Sequence, residues 1–170
     1  MPRAILSIGL ALALWCLAGS GGGASHAAKP KTPPRAPDLK ILSVAAMPLP
    51  FAPTEKPLTL TITVELPKNL PDEGVLNVSA LITSPSKSSI RLLEKNQPLT
   101  GKIRAGAAQG EHQRVEIVLR WDGTDHMKQV VGDGIYDYLV QAKLMAVGKN
   151  GPLTRETAWR KRGTLEVRTR

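Results

Sequence analysis

From Leu58 to Leu66 an aliphatic residue alternates with a polar one at every step. Leu58, Leu60, Ile62, Val64 and Leu66 form one set; Thr59, Thr61, Thr63 and Glu65 form the other. A helix turns about 100° per residue and would scatter the apolar set around its circumference, whereas a strand puts alternate side chains on opposite faces. The β-branched residues favour the same choice. One face is therefore apolar along its whole length, and it is stable only when packed against a second apolar face. That constraint points to a layered β fold.

The period of two recurs along the chain. Leu39–Val44 reads as a first short strand. Pro48, Pro50, Pro53 and Pro57 make the next segment a loop or an edge crossing, because proline cannot donate to a ladder. Val75–Thr83 is a third strand with Leu76, Val78, Ala80 and Ile82 on one face. A polar turn, Ser84–Ser88, leads to a short strand over Ser89–Glu94. Gly101–Glu111 reads as a flexible loop. Arg114–Trp121 buries Val115, Ile117, Leu119 and Trp121, and Ile135–Val147 buries Tyr136, Tyr138, Val140, Ala142, Leu144 and Ala146. Asn150-Gly151 suits a hairpin turn. Thr154–Trp159 and Thr164–Arg168 complete a last strand or strand pair, broken near Gly163. The mature chain shows no helical periodicity. Seven to eight antiparallel strands with frequent turns predict an all-β immunoglobulin- or fibronectin-III-like β-sandwich, with a small barrel as the alternative.

The N-terminus carries export features. Arg3 supplies a positive start, and Ala4–Leu17 is apolar apart from Ser7 and Gly9, too short to span a bilayer. Small residues follow, and Ser25-His26-Ala27 offers small side chains at the positions a signal peptidase reads. Residues 1–27 are expected to be a cleavable signal peptide, cut after Ala27 or Ala28, with cleavage after Ser20 as the competing position. Residues 28–37 form a Pro-rich basic linker, and residues 38–170 form the sandwich domain. This predicts a periplasmic or extracellular protein with no transmembrane segment after signal removal. Cys16 is the only cysteine, and it lies inside the apolar run behind Trp15, not behind the small residue that lipidation requires. Signal removal leaves no cysteine, hence no disulfide, thiol nucleophile or thiolate metal site.

Around the fifth strand the residues read Trp121-Asp122-Gly123-Thr124-Asp125, and after a short excursion Val131-Gly132-Asp133-Gly134-Ile135-Tyr136-Asp137-Tyr138. This block resembles the signature of FlgD-type immunoglobulin-like domains, accessory modules of exported bacterial proteins. The likeness covers Leu58–Ala146, but only the Trp-Asp-Gly to Tyr block is specific. It implies a sandwich whose structural motif is Trp121, Asp122, Gly123, Asp125, Gly134, Tyr136 and Tyr138. It implies no catalytic residues and no role in flagellar assembly. The loop His126-Met127-Lys128-Gln129 is bulkier and more basic than the family pattern.

Candidate chemistry is sparse. Asp122, Asp125, Asp133 and Asp137 cluster around one corner, where they either supply oxygens to calcium or bond their own turns; their spacing does not match an EF-hand. His112 and His126 show no zinc-site pairing. There is no nucleophile elbow, phosphate loop or dinucleotide fingerprint. No catalytic residue, cofactor or metal site is expected.

The chain has 23 Lys and Arg against 14 Asp and Glu, a formal charge of +9. That excess favours anionic partners. Arg155, Trp159, Arg160, Lys161, Arg162 and Arg168 concentrate cations beside a tryptophan. Either Trp159 lies at an interface with a polyanion or partner, or it packs inward while the charges guard a terminal edge strand; the second reading is the plainer. The expected function is a non-catalytic exported module in protein–protein interaction or envelope assembly, its partner an envelope or secreted protein. The alternative is binding of polyanions (lipopolysaccharide, anionic wall polymer or nucleic acid) through the basic C-terminal strand.

Overall fold

A computed structural model describes residues 36–53, 55–100, 112–149 and 151–169. The expected signal peptide, most of the linker and the Gly101–Glu111 loop lie outside the described residues, as does Asn150 of the hairpin turn. Eight strands follow in order: β1 (Lys40–Met47), β2 (Leu58–Glu65), β3 (Gly74–Thr83), β4 (Ser89–Pro98), β5 (Arg114–Trp121), β6 (Gly134–Gly148), β7 (Gly151–Thr157) and β8 (Lys161–Val167). No helix occurs among the described residues, so none is long and apolar enough to cross a membrane.

The strands form two antiparallel sheets. One has three strands in the order β1-β2-β5; the other has five, ordered β4-β3-β6-β7, with β8 also pairing β6. The alternation of Leu58–Leu66 does what its pattern requires: Leu58, Leu60, Ile62, Val64 and Leu66 are all fully buried. Facing them from the second sheet are Leu76, Val78, Ala80 and Ile82, also fully buried, with Tyr136, Tyr138, Val140, Ala142 and Leu144. These inner faces share one continuous core, which makes the molecule a β-sandwich.

Trp121, at the end of β5, is 0% exposed. Its ring centroid lies 5.3 Å from Phe51 and 6.0 Å from Tyr136, and its indole N–H donates to the carbonyl of Thr124 at 2.8 Å. Phe51 arrives from the proline-rich segment after β1. Its amide donates to the Glu166 carbonyl (2.7 Å) and its carbonyl accepts from the Arg168 amide (2.9 Å). The prolines thus carry the chain across the edge of the sandwich and leave one aromatic plug in the core.

The last two strands differ from expectation. The break falls at Ala158–Arg160, not near Gly163, and β4 runs on to Pro98 instead of stopping at Glu94. Strands β7 and β8 line β6 end to end as one interrupted edge strand whose register slips twice. Leu144 pairs Glu156 but Met145 pairs Thr154, so Arg155 is surplus. Ala158 still donates to the Ala142 carbonyl at 2.9 Å, whereas Lys161 pairs Val140, so one residue of Trp159–Arg160 is surplus as well. Each surplus residue is a β-bulge and reverses the inside–outside parity of the residues beyond it. Gly163 lies within β8, opposite Tyr138.

Candidate functional site

The Trp-Asp-Gly to Tyr block builds the connection between β5 and β6. Asp122 Oδ1 accepts from the Thr124 amide (3.0 Å) and hydroxyl (2.7 Å). The Thr124 hydroxyl, aided by its amide and opposed by partial burial, holds the Asp122 carboxyl below its ordinary range. Gly123 sits at φ +78° beneath Pro53, a left-handed position with no room for a Cβ. Asp125 Oδ1 accepts from the amides of Met127 (2.8 Å) and Gln129 (2.9 Å). Tyr136, near the start of β6, donates its hydroxyl to the Gly132 carbonyl at 3.0 Å.

The four aspartates of this corner do not converge. Asp133 Oδ1 accepts from the amide and hydroxyl of Thr169 (2.7 and 2.5 Å), and Asp137 pairs with Lys87. Together with the turns of Asp122 and Asp125, that assigns each carboxylate a separate structural partner. Among the described residues no three His, Cys, Asp or Glu side chains are placed to hold a metal ion. Gly134 opens β6 opposite Val167, and Tyr138 lies on the inner face over Gly163.

The basic residues share one edge. Arg155 is the surplus residue of the first bulge, Trp159 and Arg160 form the second, and Lys161 and Arg162 open β8. Inward packing of Trp159 is not what the fold does: the side chain is 66% exposed. Simple alternation along Thr154–Trp159 breaks at the bulges, and the tryptophan turns out into solvent. Arg168 is removed from the set by Glu166, which accepts from its Nε and Nη2 at 2.8 and 2.7 Å. Arg155, Arg160, Lys161 and Arg162 are exposed and make no ion pair among the described residues.

Trp159 and Lys161 form one wall of a groove of about 270 Å³; Pro37, Leu39 and Leu42 line the opposite side. Sequence reasoning missed this second wall, because nothing local places β1 beside β8. The link is Glu156: its Oε1 accepts from the amides of Asp38 (2.5 Å) and Leu39 (3.1 Å) and fastens the entry of β1 to β7. The surface combines an exposed indole, cations with no ion-pair partner among the described residues, and an apolar lining. Such a site can stack a planar or apolar group while guanidinium groups grip a carboxylate or phosphate.

No family model and no curated protein matches this sequence. Solved structures with some likeness include dimeric latent PorU from Porphyromonas gingivalis, with 18% identity and a TM-score of 0.44 over 75% of this chain. The chain spans 9% of that PorU chain. Another is AT1g01470 from Arabidopsis thaliana, solved in solution, with 12% identity and a TM-score of 0.43 over 85% of this chain and 91% of that one. A third is the alkylpurine DNA glycosylase AlkC of Pseudomonas fluorescens, bound to DNA containing an abasic site analog. It has 15% identity and a TM-score of 0.38, over 79% of this chain and 31% of that one. Likeness at this level carries no functional argument.

Proposed function

We propose that this chain is an exported, non-catalytic immunoglobulin-like module that acts in protein–protein interaction or envelope assembly, and that it contacts its partner through the bulged basic edge around Trp159. The carrying observation is the exposed Trp159 set among four cations with no counter-ion among the described residues. An indole left in water at the mouth of an apolar groove is a ready anchor for a partner, and the cations select one with acidic groups.

Two features support the immunoglobulin-like reading. The Tyr136–Gly132 bond stands where a tyrosine corner stands, at the start of the strand reached by crossing from one sheet to the other. The strand order is that of a constant-type immunoglobulin sandwich, except that β4 pairs with β3 instead of with β5. The FlgD-type resemblance rests on the same corner. Export rests on residues 1–27, and the non-catalytic reading on the structural employment of each candidate carboxylate.

The test is retention of envelope proteins on the immobilised chain along a salt gradient, with wild type beside Trp159→Ala and Arg160→Ala/Arg162→Ala. A discrete protein retained by wild type and lost with both variants supports the reading. Retention that ignores all three substitutions refutes this edge as the contact.

The same cations, without a counter-ion among the described residues, also favour a second reading, in which the edge binds a non-protein polyanion. Its signature is affinity that falls steeply and log-linearly with salt, because counterion release drives such binding. Equal retention on anionic and neutral polymers would sink it.

A further inference from the structure

Among the described residues four strand edges border the two sheets, and three of them are blunted. β1 has a register slip at Leu42 and runs into Pro48. β4 slips near Ile90 and ends in Pro98. The β7–β8 edge has two bulges. Such devices prevent strand pairing between molecules. β5 has none: it pairs β2 from Leu58↔Trp121 to Glu65↔Arg114 without a slip, and it contains no proline.

The orientation of β5 decides what its free edge presents. The Leu66 amide donates to the Gln113 carbonyl at 2.8 Å, so Gln113 turns its backbone groups toward β2. In an antiparallel ladder this alternates. Val115, Ile117, Leu119 and Trp121 therefore bond to β2, while Arg114, Glu116, Val118 and Arg120 turn their N–H and C=O groups away from it. Those same four residues carry their side chains on the outer face of the sheet. Their neighbours on β2 are Glu65 for Arg114, Thr63 for Glu116, Thr61 for Val118 and Thr59 for Arg120; Glu65 is held by Lys40, and the other three neighbours are uncharged. Glu116 and Arg120 make no ion pair among the described residues. An open cleft of about 500 Å³ runs beside Val118–Arg120, between β5 and β4.

Along this edge, continued into Asp122, the outer row runs plus, minus, apolar, plus, minus. The series is its own electrostatic complement when reversed. We propose that β5 is the pairing edge of a homodimer, in which two copies join antiparallel about a two-fold axis at Val118. Val118 then faces the partner's Val118, Glu116 faces the partner's Arg120, and Arg114 faces the partner's Asp122. The Val118–Val118 and Glu116–Arg120 pairs exchange backbone hydrogen bonds, because those residues have their outward groups on that side. The neighbouring symmetric registers are disfavoured: one sets Arg114 against the partner's Arg120, and another sets Glu116 against itself. The three-stranded sheet thereby becomes continuous across the dimer. The surface is separate from the Trp159 edge, so this proposal and the proposed function fail independently.

The experiment is single-cysteine cross-linking of the full chain in a Cys16→Ser background, with sedimentation of the uncross-linked protein in parallel. Facing residues of a hydrogen-bonded pair lie within reach of a disulfide. Val118→Cys is expected to cross-link to itself about tenfold more than Glu116→Cys or Arg120→Cys, while a mixture of those two forms the heterodimer. Sedimentation is expected to show a concentration-dependent dimer, lost in Glu116→Arg and restored in Glu116→Arg/Arg120→Glu. Val118→Pro removes only an outward N–H, so it is expected to fold and remain monomeric. A monomer at every concentration, or a dimer indifferent to the charge reversal and to proline, overturns the proposal.

Discussion

The phenol of Tyr138 packs against Gly163, its cross-strand partner on β8. A Cβ added at Gly163 would overlap the phenol, with Cε1 only 2.7 Å away. The glycine is present because the tyrosine occupies the space its side chain would fill, and it marks no break in the strand. Gly163→Ala is expected to destabilise the domain by about 1–3 kcal/mol through overpacking. In a Tyr138→Ala background the same change is expected to cost less than about 0.5 kcal/mol. Denaturant titration of the four proteins closes the cycle, and equal costs in both backgrounds would show that the two residues are not coupled.

Gly123 and Gly151 both have positive φ, +78° and +108°, but their surroundings differ. At Gly123 a Cβ meets Pro53 at 2.5 and 2.8 Å and Phe51 at 3.0 Å; at Gly151 it meets nothing within 4 Å. Gly123→Ala is expected to cost about 3 kcal/mol, combining backbone strain with displacement of the Phe51–Trp121 contact. Gly151→Ala is expected to cost only the backbone term, about 1 kcal/mol. Thermal unfolding ranks the two, and the reverse order would contradict the packing at the corner.

Stability should fall at both ends of the pH scale for identified reasons. Burial raises the Tyr136 and Tyr138 hydroxyls above their ordinary value of 10.0, and Asp133 adds to the effect at Tyr136. Their contribution is complete below pH 10.0 and is lost as pH rises through the raised values. Asp122 is lowered from 3.8, so its contribution is present above that value and lost as pH falls through the lowered one. The chain has only two tyrosines, so phenolate absorbance reports them alone. Its midpoint should lie above 10.0 and coincide with loss of the β-sheet circular dichroism signal. Tyr136→Phe, which removes the bond to Gly132, should cost about 1 kcal/mol at neutral pH.

Trp121 and Trp159 make opposite predictions. Trp121→Ala removes the centre of an aromatic cluster and is expected to cost about 3–5 kcal/mol. Trp159→Ala should change stability by less than about 0.5 kcal/mol. With Trp15 replaced by Phe, acrylamide should quench the emission of Trp159 readily and that of Trp121 hardly at all. Strong protection of Trp159 would mean that its groove is already filled.

The strands that could be read from the sequence are those whose pattern is uninterrupted. β2, β3, β5 and β6 alternate without a bulge on their inner faces, so periodicity alone identified the strands and their buried apolar faces, though not Asn77 of β3, which is buried off that face. The Tyr136 bond to the Gly132 carbonyl is local as well, joining residues only four positions apart. The C-terminal edge was not legible in the same way. A bulge adds one residue and leaves no mark in composition, yet it reverses every side chain beyond it, and of the two readings open for Trp159 the inward one fails.

The candidate site divides along the same line. Its cations and its tryptophan were visible as a local run of residue types. Their freedom from counter-ions, the removal of Arg168 by Glu166 and the second wall of the groove on β1 depend on which edges meet. The sequence by itself determined the layered β architecture and the buried faces of its regularly alternating strands, because burial of an alternating apolar face follows from backbone geometry, but not Phe51, Leu99 or Ala158 of the core. Only the tertiary structure decided the pairing order, the two bulges and the exposure of Trp159. These arise from register between strands far apart in the chain, and no local propensity encodes that register.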